Sequence, residues 1–207
     1  MGGTRWPVTL TWGALSLRPV RYRDRRQWES VRRRNASWLG PWEASNPAPG
    51  GYLPSFMEMV RYLRQQARMG VALPFVITER QPPEDKPALI GQLTVSTIVW
   101  GSAMSATLGY WVDQQHAGRG VAPTAVAMAT DHCINSLGLH RIEVNIRPEN
   151  TASLRVVQKL GFRDEGVRLN YLHINGQWAD HRSFALTAEE IPSGGLLQRW
   201  LSTGAVG

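Results

Sequence analysis

The chain has 207 residues, 43% of them hydrophobic, and its 23 lysines and arginines exceed its 16 aspartates and glutamates to give a net charge of +7. This length suits one domain that buries a sizeable core, and the composition excludes a disordered chain. No run approaches the roughly 18 apolar residues of a membrane span, and the first residues lack a signal-peptide core. We therefore expect a cytoplasmic protein that makes no contact with a membrane.

The single cysteine, Cys133, excludes an intramolecular disulfide and a thiolate metal cluster. Its place on a predicted helix favours inert packing over nucleophilic chemistry. None of the five histidines lies in a His-x-x-x-His or His-Glu-x-x-His pattern. The sequence predicts no metal site.

Arginine is concentrated in the N-terminal part of the chain. Residues 1–13 show little pattern and are predicted to form a flexible terminus, as are residues 202–207. Leu15 to Arg21 predicts a strand, and Arg23 to Asn35 predicts a helix. The arginines form either a solvated helix face or a basic patch that attracts the phosphates of a cofactor or of ribosomal RNA. This N-terminal arginine cluster comprises Arg18, Arg21, Arg23, Arg25, Arg26, Arg32, Arg33 and Arg34.

A loop rich in glycine and proline follows from Gly40 to Gly51, where we expect no regular structure. Trp42 and Glu43 in this loop offer an aromatic wall and a carboxylate that could hold an incoming ammonium group. Alternatively, Trp42 fills the core beneath the loop and Glu43 lies in water. A second helix is predicted from Ser55 to Arg68, with its apolar residues on one side.

Three strands are then predicted, linked by hairpin turns at residues 81–87 and 101–102. They span Leu73 to Thr78, Ala88 to Trp100 and Ala106 to Val112. Behind the last strand the chain turns through Gly118 and Gly120 into a helix. Helical spacing supports this element at Val121, Ala125, Met128 and His132.

Such a strand-to-helix turn gathers free backbone N–H groups at the positive end of a helix dipole, and it can therefore hold phosphate or pyrophosphate. Gly118 and Gly120 remove side chains that would keep an anion from the backbone. Alternatively, the two glycines only make a tight connection. A P-loop would need Lys-Ser or Lys-Thr where Val121 and Ala122 stand, and a Rossmann fingerprint would want Gly or Ala at Pro123.

The remaining elements are shorter. Arg141 to Ile146 alternates as a strand, and Asn150 opens a short helix that ends at Gly161. Strands at Tyr171 to Ile174 and Ser183 to Leu186 are predicted to finish the sheet. A terminal helix is predicted from Ala188 to Leu201.

The segment Gln115-x-x-Gly118-x-Gly120 resembles the Gln/Arg-x-x-Gly-x-Gly/Ala signature of the GNAT N-acetyltransferases. The run from His140 to Gly166, with Tyr171-Leu-His-Ile-Asn-Gly176 and Trp178-Ala-Asp-His181, is similar to the RimJ/RimL branch, which acetylates the N-terminal alanine of ribosomal proteins. The resemblance covers residues 14–190 as one GNAT domain. It implies an α/β (α+β) fold with a single mixed, mostly antiparallel twisted sheet of six or seven strands and four to five helices.

The resemblance also implies acetyl-coenzyme A as the cosubstrate, a protein N-terminus as the acceptor and a ribosomal protein among the candidate partners. In this family the loop amides hold the pyrophosphate, and the preceding strand pairs with the pantetheine arm. The residues that would hold the coenzyme are Tyr110, Trp111, Val112, Gln115, His116, Ala117, Gly118, Arg119, Gly120, Val121, Ala122, Asn150 and Ser153.

Acetyl transfer needs a neutral amine, a stabilised oxyanion and a proton for the leaving thiolate. The resemblance makes Ser153 the proton donor, although Asn150 and Ser153 could serve only as a helix cap. Tyr171 is the alternative donor, unless it simply packs in an edge strand.

No compelling base is found, because Leu172 stands where RimL-type enzymes carry a glutamate. Glu143, Glu43 and His173 remain candidates, and Glu143 could instead pair with an arginine. We expect direct transfer in a ternary complex with water-mediated deprotonation.

Two other functions stay open, together with a working unit that is a monomer or a homodimer. One is N-acetylation of a small molecule such as an antibiotic or a polyamine. The other is a non-catalytic module that binds acetyl-coenzyme A or RNA.

Overall fold

The structure is a computed structural model and describes residues 6–48, 54–80 and 86–204. Over these residues the chain forms eight strands and six α-helices. The strands are β1 Leu10–Trp12, β2 Leu15–Pro19, β3 Leu73–Glu79, β4 Ala88–Val99, β5 Ser105–Val112, β6 Arg141–Ile146, β7 Arg163–Ile174 and β8 Gln177–Thr187. The helices are α1 Arg25–Arg34, α2 Ala36–Leu39, α3 Phe56–Arg68, α4 Val121–Asp131, α5 Thr151–Lys159 and α6 Leu196–Ser202.

Within the described ranges the strands form one eight-stranded sheet in the order β1-β2-β3-β4-β5-β6-β8-β7. All neighbours are antiparallel except β5 and β6, which pair in parallel. This arrangement confirms the predicted mixed, mostly antiparallel fold class. The prediction of six or seven strands was slightly too low.

The additional strand, β1, lies in the segment that we expected to be a flexible terminus. Its three residues pair with β2, in the register Leu10↔Leu17, Thr11↔Ser16 and Trp12↔Leu15. Just before it, the Trp6 ring packs edge-on against Phe75, with ring centroids 5.2 Å apart. Tertiary contacts therefore order a short segment that has no periodicity of its own.

The Gly- and Pro-rich loop begins with more regular structure than expected. A 3₁₀ turn spans Gly40–Trp42, because Pro41 presets its own φ and the Glu43 amide donates to the Gly40 carbonyl at 3.2 Å. Part of this loop and part of the predicted hairpin at 81–87 lie outside the described residues.

The C-terminal elements differ in length from the prediction. Strands β7 and β8 extend well beyond the predicted cores, because their pairing supplies backbone hydrogen bonds where side chains are exposed. The predicted terminal helix is a 3₁₀ turn at Ala188–Glu190 followed by α6. Gly195, with φ of +90°, separates the two, and Asp131 accepts hydrogen bonds from the first amides of α6.

Two apolar clusters lie on the two faces of the sheet. The larger packs α4, α5 and α6 against inward side chains of β2 to β6, and nearly every residue of α4 is buried. The smaller packs α1 and α3 against the opposite face through Phe56, Val60, Val76 and Leu89. Helix α4 therefore begins inside the molecule, and its first turn lies at the end of β5.

Candidate active site

The turn between β5 and α4 has the predicted glycine geometry. After a 3₁₀ turn at Gln114–His116, Gly118 and Gly120 have φ angles of +80° and +78°. Gly118 is exposed, and a Cβ placed on it would meet nothing within 4 Å. The first amides of α4 lack intrahelical partners and lie next to these glycines. The turn is therefore open to an anion on its outer side, whereas its inner side is packed.

A polar network fastens the base of this turn to helix α1. The Asn35 amide donates to the Asp113 carboxylate at 2.8 Å and accepts from the Gln114 amide at 2.9 Å. Arg34 also donates to Asp113, whose side chain is only 1% exposed. Burial alone would raise the pKa of Asp113, but hydrogen bonds from Arg34, Asn35 and the Gln115 amide lower it to about 2. The carboxylate therefore stays ionised, and it holds the turn against the helix.

The network continues through His116, which is buried between two carboxylates. Its Nδ1 lies 3.3 Å from Asp113, and its Nε2 lies 3.4 Å from Glu79 on β3. Arg119, on the outer side of the turn, lies 3.3 Å from Glu79. The predicted coenzyme residue His116 is thus held inside the protein, whereas Arg119 is 54% exposed and bonds Glu79 from the surface of the turn.

Strands β5 and β6 separate beside the turn. They pair in parallel only over Ser105↔Arg141, Ala106↔Ile142 and Thr107↔Glu143. Beyond Thr107, β5 still pairs with β4, and β6 pairs with β8. One edge of β5 from Leu108 to Val112 therefore has no partner strand in the described structure. Unpaired backbone groups of this kind can bind an extended, amide-bearing ligand as an added strand.

Helix α5 closes the far side of this gap. The Asn150 side chain caps it, accepting from the Ser153 amide at 3.1 Å, as predicted. Ser153 is half-buried and lies near the Tyr110 hydroxyl on β5. Burial raises the pKa of Tyr110 far above its usual value, and the Ser153 side chain opposes that rise.

The Tyr110 hydroxyl is buried, and among the residues that the structure describes no atom meets hydrogen-bond geometry with it. Ser153 is therefore close to Tyr110 without being bonded to it. A buried hydroxyl without a partner costs about 1–3 kcal/mol, so this group is poised to bond a ligand in the gap.

The predicted base Glu143 is occupied by arginines. Its carboxylate accepts from Arg141 at 2.8 Å and from Arg168 at 3.3 Å, and the side chain is 20% exposed. The geometry therefore favours the structural alternative, an ion-paired strand residue, over a base that is free to take a proton.

Trp42 and Glu43 lie on the loop after α2, which is fastened to the β7–β8 hairpin. Ala44 bridges to Ile174, and the Asn175 amide donates to the Glu43 carbonyl at 2.8 Å. Trp42 is half-buried under the Arg147 guanidinium, at 5.8 Å from the ring centroid. The Glu43 carboxylate accepts from Arg32 of α1. Trp42 thus provides the predicted aromatic wall, but the Glu43 carboxylate already pairs with the Arg32 guanidinium.

The late aromatic candidates cluster on the hairpin. Tyr171 is half-buried, with the Arg168 guanidinium 4.9 Å from its ring centroid and the His181 ring at 6.0 Å. His173 Nδ1 lies 2.9 Å from the Ser45 hydroxyl. His181 is 3% exposed, and burial lowers its pKa. Its Nδ1 faces the Ala179 carbonyl at 2.9 Å, which leaves Nε2 of the neutral ring as an acceptor.

Cys133 lies in the core behind α4, and burial raises its pKa to about 12. A thiol of this kind is a poor nucleophile at neutral pH. No group of three or more potential metal-binding side chains occurs within residues 6–48, 54–80 and 86–204. None of the helices in those ranges is long and apolar enough to cross a membrane.

Sequence reasoning missed two contributors to this site. It placed Tyr110 among the coenzyme residues, but nothing in the sequence indicated that its hydroxyl would be buried without a partner in the described chain. Asn35 and Asp113 were not considered at all, although an Asn at the end of a helix and an Asp at the end of a strand are typical capping residues. Their pairing spans 78 positions, and no local pattern indicates it.

A gap between separating strands, next to a glycine turn at a helix start, suits an extended ligand that carries phosphate groups. Comparison with protein families identifies the class: residues 14–163 match the model described as "Acetyltransferase (GNAT) domain". The chain belongs to the GNAT family of N-acetyltransferases.

Individual relatives point to one branch of that family. The chain is 30% identical to the [ribosomal protein uS5]-alanine N-acetyltransferase of Escherichia coli over 187 residues, which are 90% of this chain and 94% of that protein. A solved structure of Mycobacterium smegmatis RimJ in complex with CoA-disulfide superposes with a TM-score of 0.86 at 38% identity, covering 97% of this chain and 96% of that one.

A third relative shares the fold. The spermidine N-acetyltransferase of Vibrio cholerae, solved with CoA and spermine, has a TM-score of 0.68 at 22% identity and covers 86% of this chain and 97% of that one. Structural neighbours of this chain therefore bind coenzyme A.

Proposed function

We propose that this enzyme transfers the acetyl group of acetyl-coenzyme A to the N-terminal α-amine of a protein. The observation that carries the proposal is the gap between β5 and β6, which is bounded by an open glycine turn at one end and by Ser153 at the other. The likeness to RimJ and to the uS5-alanine acetyltransferase supports a ribosomal protein as the acceptor, and hence a cytoplasmic location.

The residues of the gap fit the coenzyme. The exposed turn at Gly118 offers backbone amides for the pyrophosphate, and the unpaired edge of β5 from Leu108 to Val112 offers amides and carbonyls for the pantetheine arm. The buried Tyr110 hydroxyl lacks a partner within the described chain, so a bound thioester would satisfy it. The coenzyme supplies the acetyl group as a thioester.

We assign the proton donor to Ser153. Attack of the amine on the thioester carbonyl forms a C–N bond and breaks the C–S bond, and the departing thiolate needs a proton. The Ser153 hydroxyl lies at the capped start of α5, where the helix dipole also favours negative charge.

Deprotonation of the amine needs little help for this acceptor. An α-amine, with a reference pKa of about 7.7–8.0, is roughly one-tenth neutral at pH 7, whereas a lysine amine is neutral less than about once in a thousand. The arginine pairs of Glu143 support water-mediated deprotonation over a carboxylate base. Trp42 remains the proposed aromatic wall of the acceptor pocket, and Tyr171 remains the alternative proton donor.

Coenzyme A release tests the proposal directly. Peptides that begin with Ala or Ser should release coenzyme A from acetyl-coenzyme A, and the same peptides with a blocked α-amine should not. Mass spectrometry should locate the acetyl group on the α-nitrogen. Preferred turnover of spermidine would instead establish a small-molecule acetyltransferase, and coenzyme binding without turnover of either acceptor would establish a non-catalytic module.

Ser153→Ala tests the assignment of the donor. The variant should lower kcat on the best peptide by about 100-fold with little change in KM for acetyl-coenzyme A. Ser102→Ala, in the exposed turn between β4 and β5, is the matched control and should keep wild-type rates. A kcat of Ser153→Ala within twofold of wild type would exclude Ser153 as the donor.

Contact with ribosomal RNA through the N-terminal arginine cluster receives less support. Four of its members are committed to ion pairs inside the protein, namely Arg18 with Asp24, Arg25 with Glu29, Arg32 with Glu43 and Arg34 with Asp113. Half of the N-terminal arginine cluster is therefore already paired with carboxylates of the protein itself. Whether the working unit is a monomer or a homodimer stays a prediction.

A further inference from the structure

The outer face of α3 carries a second group of arginines that belongs neither to the active site nor to the N-terminal arginine cluster. Arg61, Arg64 and Arg68 line an open cavity of about 540 Å³ together with Tyr22 and Gln65. We call this cavity the α3 groove. The Arg64 guanidinium lies 5.2 Å from the centroid of the Tyr22 ring.

Helical spacing explains why these arginines face outward together. Phe56, Val60 and Ala67 are buried against the sheet, and the three arginines at i, i+3 and i+7 lie together on an exposed flank of the helix. At a rise of 1.5 Å per residue, they are separated along the axis by about 4.5 and 6 Å. They therefore present a row of guanidinium groups rather than a single charge.

Within the part of the chain that the structure describes, this row has no ion-pair partner: no carboxylate oxygen there lies within 4.0 Å of the three guanidinium groups. Glu58, in the first turn of the same helix, caps α3 by accepting from the Ser55 amide at 2.9 Å and from the Ser55 hydroxyl at 2.6 Å. Three like charges on one helix face repel one another, so a counter-charge from outside would stabilise them.

The lining of the groove favours phosphates over an acidic protein surface. Every lining side chain is cationic or polar, apart from the partly polar ring of Tyr22, which is 37% exposed. Protein interfaces usually have an apolar centre, which this groove lacks. A basic groove with an exposed aromatic ring is instead typical of binding to single-stranded nucleic acid.

We propose that the α3 groove binds a single-stranded segment of RNA, with Arg61, Arg64 and Arg68 on consecutive phosphates and Tyr22 beside a base. Guanidinium groups form paired hydrogen bonds with phosphate oxygens, and each contact releases counterions from the RNA. The site is independent of acetyl transfer.

Fluorescence anisotropy of a labelled single-stranded oligouridylate tests the proposal. The triple variant Arg61→Gln, Arg64→Gln, Arg68→Gln should bind the RNA about tenfold more weakly than wild type at low salt. Its plot of log affinity against log salt should be shallower by about 2 over the range from about 50 to 200 mM salt.

Two control variants distinguish RNA binding in the α3 groove from RNA binding through the net positive charge of the protein. The variant Arg155→Gln, Arg163→Gln, Arg182→Gln removes the same three positive charges from other surfaces, so both variants fall from +7 to +4. This control should keep its affinity within twofold of wild type. The charge-conserving variant Arg61→Lys, Arg64→Lys, Arg68→Lys should keep most of the salt dependence.

Three results would overturn the proposal. Equal weakening by the two neutralised variants would assign RNA binding to net charge alone. Binding of a poly-glutamate peptide as tight as that of RNA, lost in the same triple variant, would make the partner an acidic protein. Unchanged RNA affinity in the α3 variant, with its thermal unfolding confirming a folded chain, would exclude the site.

Discussion

At the scale of single residues, Tyr110 and Asp113 show how environment decides chemistry. Asp113 is buried, accepts hydrogen bonds from Arg34, Asn35 and the Gln115 amide, and stays ionised with a pKa of about 2. Tyr110, three positions earlier on β5, is half-buried, and its buried hydroxyl finds no hydrogen-bond partner in the described ranges. Asp113 therefore supports the fold, whereas we expect the Tyr110 hydroxyl to weaken the ligand-free fold.

Tyr110→Phe should stabilise the ligand-free enzyme by about 1 kcal/mol, because the substitution removes an unsatisfied buried hydroxyl without opening a cavity. Urea unfolding in the absence of coenzyme measures this gain. Coenzyme A should raise the Tm of the variant less than that of wild type, since one ligand contact is lost.

Tyr62→Phe is the matched control, because it removes a hydroxyl from a ring that is 60% exposed. It should change neither the stability nor the response to coenzyme A. Destabilisation of Tyr110→Phe by more than about 1 kcal/mol would mean that the hydroxyl bonds a protein group.

At the scale of elements, the turn between β5 and α4 depends on backbone conformation rather than on side chains. Gly118 has a left-handed φ and open space around its Cα, so a methyl group there meets strain but no clash. The base of the turn is held by Asn35 at the end of α1. Helix α2 directly follows Asn35 and leads into the turn that carries Trp42, so Asn35 connects the glycine turn to this loop.

Gly118→Ala should cost about 1 kcal/mol of stability through its positive φ and should raise KM for acetyl-coenzyme A about tenfold, with kcat nearly unchanged. The added methyl group lies where the pyrophosphate would approach the amides. Steady-state kinetics with varied acetyl-coenzyme A measures the effect.

Gly101→Ala offers an unusually close control. Gly101 has φ of +77°, and a Cβ placed on it would likewise meet nothing within 4 Å, but it lies in the turn between β4 and β5. The Gly101→Ala variant should lose comparable stability and keep its KM. An equal rise of KM in both variants would show that strain, not occupancy of the turn, explains the Gly118 result.

At the scale of the whole molecule, buried histidines make stability depend on pH. Burial lowers the pKa of both His132 and His181 below the reference value of 6.5. The unfolded chain therefore binds protons near pH 6.5 that the folded chain does not. The two neutral histidines contribute their full stabilisation above pH 6.5, the pKa in the unfolded chain. This stabilisation is lost as the pH falls from 6.5 toward the lower pKa that each histidine has in the folded chain.

The free energy of unfolding should therefore decrease between pH 7 and pH 5, by at most about 1.4 kcal/mol per pH unit for each histidine. Urea titrations across that range measure the slope. His132→Leu should flatten it, because the buried Nε2 of His132 has no partner among the residues described. His140→Gln, at an exposed histidine, should leave the slope unchanged, and an equal flattening by both variants would contradict this assignment.

The sequence by itself determined those features whose physical cause is local. The cap at Asn150, the glycines at the start of α4 and the apolar face of α3 each arise within about ten residues, because periodicity and turn chemistry act over that distance. These features, together with the Gln115 motif, were sufficient to place the chain in its family.

Only the tertiary structure decided how distant residues meet. The separation of β5 from β6, the order imposed on β1 and the pairing of Asn35 with Asp113 depend on packing that spans most of the chain. The same holds for the arginines: the fold pairs half of the N-terminal cluster with carboxylates, whereas the α3 row has no ion-pair partner within the described ranges, although the composition counts all of them as equal charges. A charge acquires its role from its neighbours in space, because Coulomb attraction and desolvation depend on distance and burial rather than on position in the sequence.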